Sequence, residues 1–291
     1  MIIMDKVLFG DNQFFAVSHL SDEKSREQAI RFKDDEAIIR VLDQAMETGI
    51  NTFMCTTHDR IANICDHMRE NPGKYKDFNI YPCMPYAHKY ANAVTDLGMI
   101  GTIKQYVPGN IFSTFTKGGV AYLRKDFIGL MELLIDTELK MFKGINTPVI
   151  FIQNVVVDMV LGLKMYEVFK AFDSYIRKKY NVEPGYITMN MPALLDVLNS
   201  VGIENPIICS SINKIGFRMS GGKDVYEKYL KEQKFRPIAM QVLAAGALRP
   251  KEAIEYLSRF QKIESVLFGA SSKNHIQETK ELIEAHLGRG K

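Results

Sequence analysis

Cysteine is scarce in this chain: four residues, Cys55, Cys65, Cys83 and Cys209, with no paired CxxC spacing among them. So sparse a set in 291 residues fits reduced thiols in a cytosolic protein rather than a disulfide framework. Charge imbalance is slight as well. Thirty-seven basic residues face thirty-four acidic ones, a net +3, and the basic residues are scattered, which argues against a nucleic-acid partner. No apolar run reaches the roughly 20 residues that span a bilayer. The most apolar region, PVIFIQNVVVDMVLGL (148–163), is interrupted by Gln153, Asn154 and Asp158. At the start, MIIMDKVLFGDNQ places Asp5 and Asp11 where a signal peptide needs a longer apolar stretch. No glycine-rich dinucleotide fingerprint follows the first apolar run, and no linker, low-complexity tract or tandem repeat divides the sequence. The expectation is a soluble, cytoplasmic protein folded as one domain over 1–291. Its partner would be a small-molecule substrate, neither nucleic acid nor membrane, and nothing in the sequence fixes an oligomeric state.

What is present is alternation. Short β-rich apolar runs lie at 6–10, 51–55, 78–84, 148–154, 185–189, 206–211, 237–243 and 264–270. Their continuous apolar character fits parallel strands covered on both faces. Between them lie amphipathic segments. DDEAIIRVLDQAMETG (34–49) repeats apolar residues at helical spacing through Ala37, Ile38, Val41, Leu42, Ala45 and Met46, and Gly49 provides the stop. Similar patterns occupy 59–70, 120–143, 158–180, 192–202, 222–233, 249–261 and 273–287. Eight strands, each followed by helix, predict a closed (β/α)8 TIM barrel over an open doubly wound sheet.

That architecture makes the search for chemistry directional, because such barrels keep their sites at the C-terminal strand ends and in the loops that follow. Two of those connections are long, at about 11–33 and 85–119. Long connections of this kind serve as binding loops or as surface decoration. The polar stretch CTTHDR (55–60) falls on the same face.

Several stretches, in order, resemble the aldo-keto reductases. QVLAAGALRPKEAIEYL (241–257) and then ESVLFGASSKNHIQETKELIE (264–284) are similar to that family's last two βα units. There the seventh strand ends in a PLAGG-like turn, and the eighth leads through a GAS/T turn onto a helix that holds the cofactor's adenosine phosphate. ICSSINKIGFRM (208–219) resembles the sixth strand, GYITMNMPALLDVL (185–198) the fifth, and EAIIRVLDQAMETGINTFMCT (36–56) the first helix and second strand. The segment at 85–119 matches nothing in the family. The resemblance implies the barrel, NADPH as hydride source, and a tetrad of Asp, Tyr, Lys and His in which Tyr protonates the carbonyl oxygen. Aligned without gaps, those four roles fall on Met54, Asp59, Met84 or Pro85, and Asn154. All four are vacant in place, and a fold without its usual groups does not by itself give a function.

The roles have neighbours that could take them over. His58 and Asp59 follow the second strand; Tyr86, His88 and Lys89 follow the third, and these strand ends are adjacent in a parallel barrel. A tyrosine or lysine near charge or in a partly dry pocket has a shifted pKa, and a carboxylate such as Asp59 can orient an imidazole base. The alternative is that these are solvated loop residues and that Asp59 and Arg60 simply begin a helix. For the cofactor, Ser271 and Ser272 open the last helix, whose free N–H groups attract anions, with Lys273 and His275 as added contacts. Ser272 also fits a plain N-cap. Gln241 opens the QVLAAG stretch that resembles the family's seventh-strand end, and Gly246 and Gly269 allow backbone to approach a ligand.

Other polar residues surround the expected mouth: Gln153, Asn154, Asn190, Asn213 and Lys214, with Arg218 as a partner for an anionic substrate. Lys214 would support Schiff-base chemistry if burial lowered its pKa. Cys55, His58, Asp59, Cys83 and His88 include acceptable metal ligands, but CTTH is not a tight zinc pattern and no second pair matches it, so no metal is expected. The leading expectation is an NADP-dependent oxidoreductase with a relocated acid–base group acting on a small polar or anionic substrate. A non-redox lyase, isomerase or hydrolase for a phosphorylated metabolite, and a non-catalytic binding or regulatory barrel, are the alternatives.

Overall fold

The structure, a computed structural model, describes residues 2–15, 22–86 and 120–288. Eight strands close a barrel in chain order: β1 (Val7–Gly10), β2 (Thr52–Thr56), β3 (Asn79–Met84), β4 (Val149–Ile152), β5 (Glu183–Thr188), β6 (Ile207–Ser211), β7 (Arg236–Met240) and β8 (Ser265–Phe268). Every neighbouring pair is parallel, and β8 returns to β1 through Val7↔Val266 and Phe9↔Phe268. The helices are α1 (Asp22–Arg31), α2 (Asp35–Glu47), α3 (Asp59–Glu70), the short α4 (Pro72–Tyr75), α5 (Val120–Leu139), α6 (Asn154–Gly162), α7 (Glu167–Tyr175), α8 (Met191–Ser200), α9 (Lys223–Glu232), α10 (Pro250–Leu257) and α11 (Lys273–Leu287).

Side-chain alternation along the strands sorts the core into two shells. Leu8, Met54, Tyr81, Cys83, Phe151, Ile187, Cys209 and Ile238 fill the barrel interior. Phe9, Phe53, Cys55, Ile80, Ile152, Tyr186, Ala239 and Val266 face outward against the helices. Each large apolar side chain buried in this way contributes roughly 1.5–3 kcal/mol. α2 illustrates the helix layer: Asp34 caps it by accepting from the Ala37 N–H at 2.8 Å, and Ala37, Ile38, Val41, Leu42 and Ala45 are buried. The chain leaves through Gly49 in the left-handed region, φ 86°. The N-terminal end of the barrel is closed by a structural network. Arg236 holds Glu264 and the Ile2 carbonyl, and Ser265 donates to the Asp5 carbonyl.

Three sequence expectations need correction. The pattern at 158–180 is not one helix: α6 starts at Asn154, the chain turns at Lys164 with φ 55°, and α7 follows, continued by a π-helical segment Ile176–Tyr180. β7 stops at Met240 rather than 243, because Gln241 takes φ 52° and cannot extend the strand. Asn154 is thus a helix residue, not part of β4. The connection at 11–33 contains a 3-10 turn, Asn12–Phe15, and α1. Beyond Pro85 and Tyr86 the connection at 85–119, with His88 and Lys89, lies outside the described residues.

Candidate active site

A cavity of about 560 Å³ opens at the C-terminal ends of the strands, a size that suits small-molecule sites. Its floor is the last inward-facing layer of the barrel, including Met54, Cys83, Ile187, Met240 and Leu267. Where the resembled family would place an aspartate, Met54 is buried at 3% exposure. The only carboxylate among the described lining residues is Asp11, immediately after β1. It is 6% exposed. One of its oxygens, Oδ2, accepts from both the N–H and the Oγ1 of Thr56 at 2.7 Å each, which ties the end of β1 to the end of β2. Burial pushes its carboxyl above the usual range, with the Thr56 bonds and its own backbone N–H opposing.

The Asp11 carbonyl accepts from Phe14 N at 2.8 Å and so starts the 3-10 turn. That turn brings Gln13 against the cavity wall, where its Nε2 donates to the Gly10 carbonyl at 2.7 Å. Gly269, past β8, is what gives the amide room: a Cβ there would lie 2.0 Å from Gln13 Oε1. Phe15 then stacks flat on His58, with centroids 4.2 Å apart and 10° between planes.

The ends of β2 and β3 are fastened to α5 by Glu138, which is buried. It accepts from the Thr57 hydroxyl and, through both oxygens, from Tyr86 N at 3.2 Å. His58 is the N-cap of α3; its Nδ1 accepts from Arg60 N at 3.1 Å, so the neutral ring carries its proton on Nε2. Its ring centroid is 5.6 Å from that of Tyr86. Tyr86 lines the cavity, and its phenol is raised by burial first and by Asp11 and Asp59 second. Asp59 is the first residue of α3, and Arg60 turns away to pair with Asp35 at 2.5 Å. Of this predicted group, then, His58, Asp59 and Tyr86 come together, and Tyr86 is the member on the cavity wall.

Asn154 also lines the cavity, next to Gln153, whose Nε2 donates to the Cys83 carbonyl at 3.2 Å. Asn190 and Asn213 are occupied locally. The first caps α8, and the second exchanges two 2.8 Å bonds with the backbone of Phe217. That clasp presents Phe217 and Arg218 to the cavity, the guanidinium lying over the Phe217 ring at 5.5 Å. Lys214 is not among the lining residues. Its ammonium pairs with Glu252 at 2.5 Å with half of its side chain exposed.

On the β7–β8 side, Gln241, Gly246 and Gly269 line the cavity. Gln241 Oε1 accepts from Ser211 at 2.7 Å. The turn beyond it is strained: Gln241, Ala244 and Ala245 have φ of 52°, 46° and 59°, followed by Gly246 at 91°. Non-glycine residues in that region cost about 1–3 kcal/mol each and persist where the surroundings impose them, often at ligand sites. Ser271, Ser272, Lys273 and His275 lie past the lining, at the start of α11. Arg31 donates to the Ser271 carbonyl, Lys273 pairs with Glu47 at 2.6 Å, and His275 is exposed. Ser272 occupies the N-cap position, but its side chain makes no capping bond.

Among the described residues no group of three or more His, Cys, Asp or Glu is placed to hold a metal ion. Cys55 faces the helices and Cys83 the barrel interior, so strand alternation separates the two thiols. Burial raises both far above the ordinary thiol range. No helix among the described residues is long and apolar enough to cross a membrane.

The fold is a (β/α)8 barrel of the aldo-keto reductase type, with cavity and strained turn on the face where barrels of this kind keep their sites. It is similar to a putative aldo-keto reductase from Pseudomonas aeruginosa, with 13% identity over 97% of this chain and 90% of that one, at a TM-score of 0.57. An aldo/keto reductase from Brucella melitensis shows 11% identity over 86% and 84%, TM-score 0.51. A mutant of Gox0644 solved in complex with NADPH shows 9% over 86% and 79%, also at 0.51. No protein-family model and no curated protein matches the sequence. The likeness is one of fold.

Proposed function

We propose that the protein is an NADP-dependent oxidoreductase acting on a small polar or anionic carbonyl compound through an acid–base group rebuilt at the ends of β1 to β3. The observation that carries this reading is a single cavity lined on one side by Asp11 and Tyr86 and on the other by Gln241, Gly246 and Gly269. A neighbouring structure of the same fold contains NADPH.

The residues present fit such a cofactor. Leu243 sits near the right-handed region at φ −83°, ψ 4°, and Ala244 in the left-handed one. That succession is of the kind that forms anion-binding concavities, although the Ala244 and Gly246 N–H groups already donate to the Gln241 and Leu243 carbonyls at 2.9 and 2.8 Å. The start of α11 offers further N–H groups that Ser272 leaves uncapped, and Lys273 needs only to exchange an exposed carboxylate, Glu47, for a phosphate. A nicotinamide cofactor held through its phosphates by these groups would supply hydride. The chain's own part is to orient the carbonyl and hold the proton. Tyr86, Asn154 and Gln153 provide hydrogen bonds to polar substrate groups, and Arg218 a contact for an anionic one. Phe15, Phe217 and the floor of Met54, Ile187 and Leu267 limit water. His58 and Asp59 act behind Tyr86. Lys214, ion-paired outside the lining, favours no Schiff-base reaction.

Calorimetric titration of the ligand-stripped protein with NADPH and with NADP+ tests the reading. Binding in the micromolar range, weakened about 10-fold by Lys273→Ala through the loss of one charged hydrogen bond, supports it. No heat with either form at sub-millimolar concentration defeats it.

A further inference from the structure

We propose that Asp11 is the proton-donating catalytic residue of the site, giving the proton on its Oδ1 to the oxygen of a bound carbonyl; this rests on the oxidoreductase reading above. The two carboxyl oxygens are differently placed. Oδ2 is engaged twice by Thr56, at N and at Oγ1. Oδ1 has no hydrogen bond to another residue among those described, and Asp11 lines the cavity. One oxygen is therefore anchored and the other is offered to a ligand.

The surroundings favour the acid form over the anion. Burial is the largest influence on the carboxyl and raises it, and no cation among the described residues is among the opposing causes. Among the described residues, the titratable groups that feel its charge are Cys55 and Cys83, on β2 and β3, and Tyr86 just beyond β3; Arg218, the one cation among the described lining residues, is not among the causes acting on it. Both thiols are held protonated by burial, so none of the three supplies a positive charge. β8 contributes Leu267 and Phe268 to the shared wall, with Gly269 just past it, and none of the three is titratable. Tyr86 is the poorer donor, because burial, with Asp59 adding to it, raises its phenol from an already high value. A carboxyl raised by burial moves toward the working pH, whereas a phenol raised by burial moves away from it.

The step balances. Hydride from reduced nicotinamide forms the new C–H bond at the carbonyl carbon, and the carbonyl π pair moves to oxygen. That oxygen takes the proton from Asp11 as the Oδ1–H bond breaks. Asp11 is left as a carboxylate, which the two Thr56 donors stabilise, and solvent returns the proton after the alcohol leaves.

Infrared difference spectroscopy of the full-length protein against Asp11→Asn, across pH 5 to 9, reads the carboxyl directly without any cofactor. Asparagine keeps an oxygen for both Thr56 donors, so a merely structural role survives that change. The expected result is a protonated-carboxyl band near neutral pH that Asp11→Asn removes. Alongside it, Asp11→Asn should bind NADPH like the wild type but lose at least about 100-fold in aldehyde reduction, the usual scale of a general acid. No such band at pH 6, or Asp11→Asn activity within about 3-fold of wild type, overturns the proposal. A wild type that binds NADPH with Asp11 ionised defeats this inference alone. A wild type that binds no NADPH, or reduces none of a panel of aldehydes, defeats the oxidoreductase reading and this inference with it.

Discussion

Replacing Gly185 by alanine should destabilise the barrel from within, and the size of the effect follows from one contact. Gly185 on β5 is the register partner of Phe151 on β4, and the phenyl ring lies over the glycine. A Cβ on residue 185 would sit 2.3, 2.5 and 2.8 Å from three carbons of that ring, when carbon atoms are comfortable at about 3.5–4.0 Å. The ring has little room to retreat: Phe151 is 0% exposed, and Tyr81, at 1%, stands 6.0 Å away centroid to centroid. Overpacking of this kind costs about 1–3 kcal/mol. For a chain of this size each kcal/mol lowers Tm by about 2–4 °C, so a drop of roughly 3–10 °C is expected in scanning calorimetry, with the urea midpoint moving in step. The mechanism has its own control. Phe151→Leu should itself destabilise by leaving a void, yet in the Gly185→Ala background it should relieve the clash. The double-mutant cycle should then show a favourable coupling of at least about 1 kcal/mol. Strict additivity, or a Gly185→Ala protein that melts with the wild type, would refute the packing argument.

Three further outcomes follow from other contacts. Arg236→Ala removes three bonds to Glu264 and one to the Ile2 carbonyl from a side chain 5% exposed. Because Glu264 is itself partly solvated, chemical denaturation should show a loss of about 2–4 kcal/mol, toward the low side of a broken buried pair. Asp11→Asn should change the pH dependence of stability. A carboxyl raised in the native state binds its proton more tightly folded than unfolded, so wild-type stability falls as pH climbs from the unfolded value of about 4 to the native one, then levels off. The variant should lack that fall and be the more stable protein at neutral pH; a parallel pair of melting-versus-pH curves would contradict the burial argument. Lys214→Ala and Lys273→Ala break exposed ion pairs with Glu252 and Glu47. Each should shift stability by no more than about 0.5 kcal/mol, and a loss above 1.5 kcal/mol in urea titration, roughly three times that bound, would show that the pairs are structural.

The barrel was legible in the sequence because its signal is repetitive. Every strand had to be apolar on both faces, so the run at 78–84 reads as β3 (Asn79–Met84) and the one at 206–211 as β6 (Ile207–Ser211). The helix at 59–70 could be read to the residue, since His58 and Asp59 interrupt the apolar pattern where α3 begins. Breaks within a continuous pattern were not legible. Nothing in the spacing of 158–180 marks the left-handed Lys164 that separates α6 from α7. The lining of the cavity was legible on its β2–β3 and β7–β8 sides, where polar residues cluster or the turn is distinctive. Asp11 was missed. One acid after an apolar strand reads as a turn residue, and only the barrel closure that sets β1 beside β2 shows what it meets. The signal was there in FGDNQ, a strand followed directly by a carboxylate and two amides on the functional face.

On the proposed reading, the site's carboxyl stands at a different wall position from the one the resemblance implies. The wall at Met54 carries no charge, although the fold it resembles would keep a carboxylate there. Met54 is the register partner of Gly10, and the residue after Gly10 is Asp11. Two residues past Met54 stands Thr56, whose N–H and hydroxyl hold the Asp11 carboxyl. A carboxyl absent from β2 is thus present one strand away, anchored by β2 itself. Adjacent parallel strands end side by side, so a functional group can pass from one to the next without altering the barrel beneath. Alignment along the chain shows only Met54 where the resembled family has an aspartate, whereas the wall of the cavity also contains Asp11.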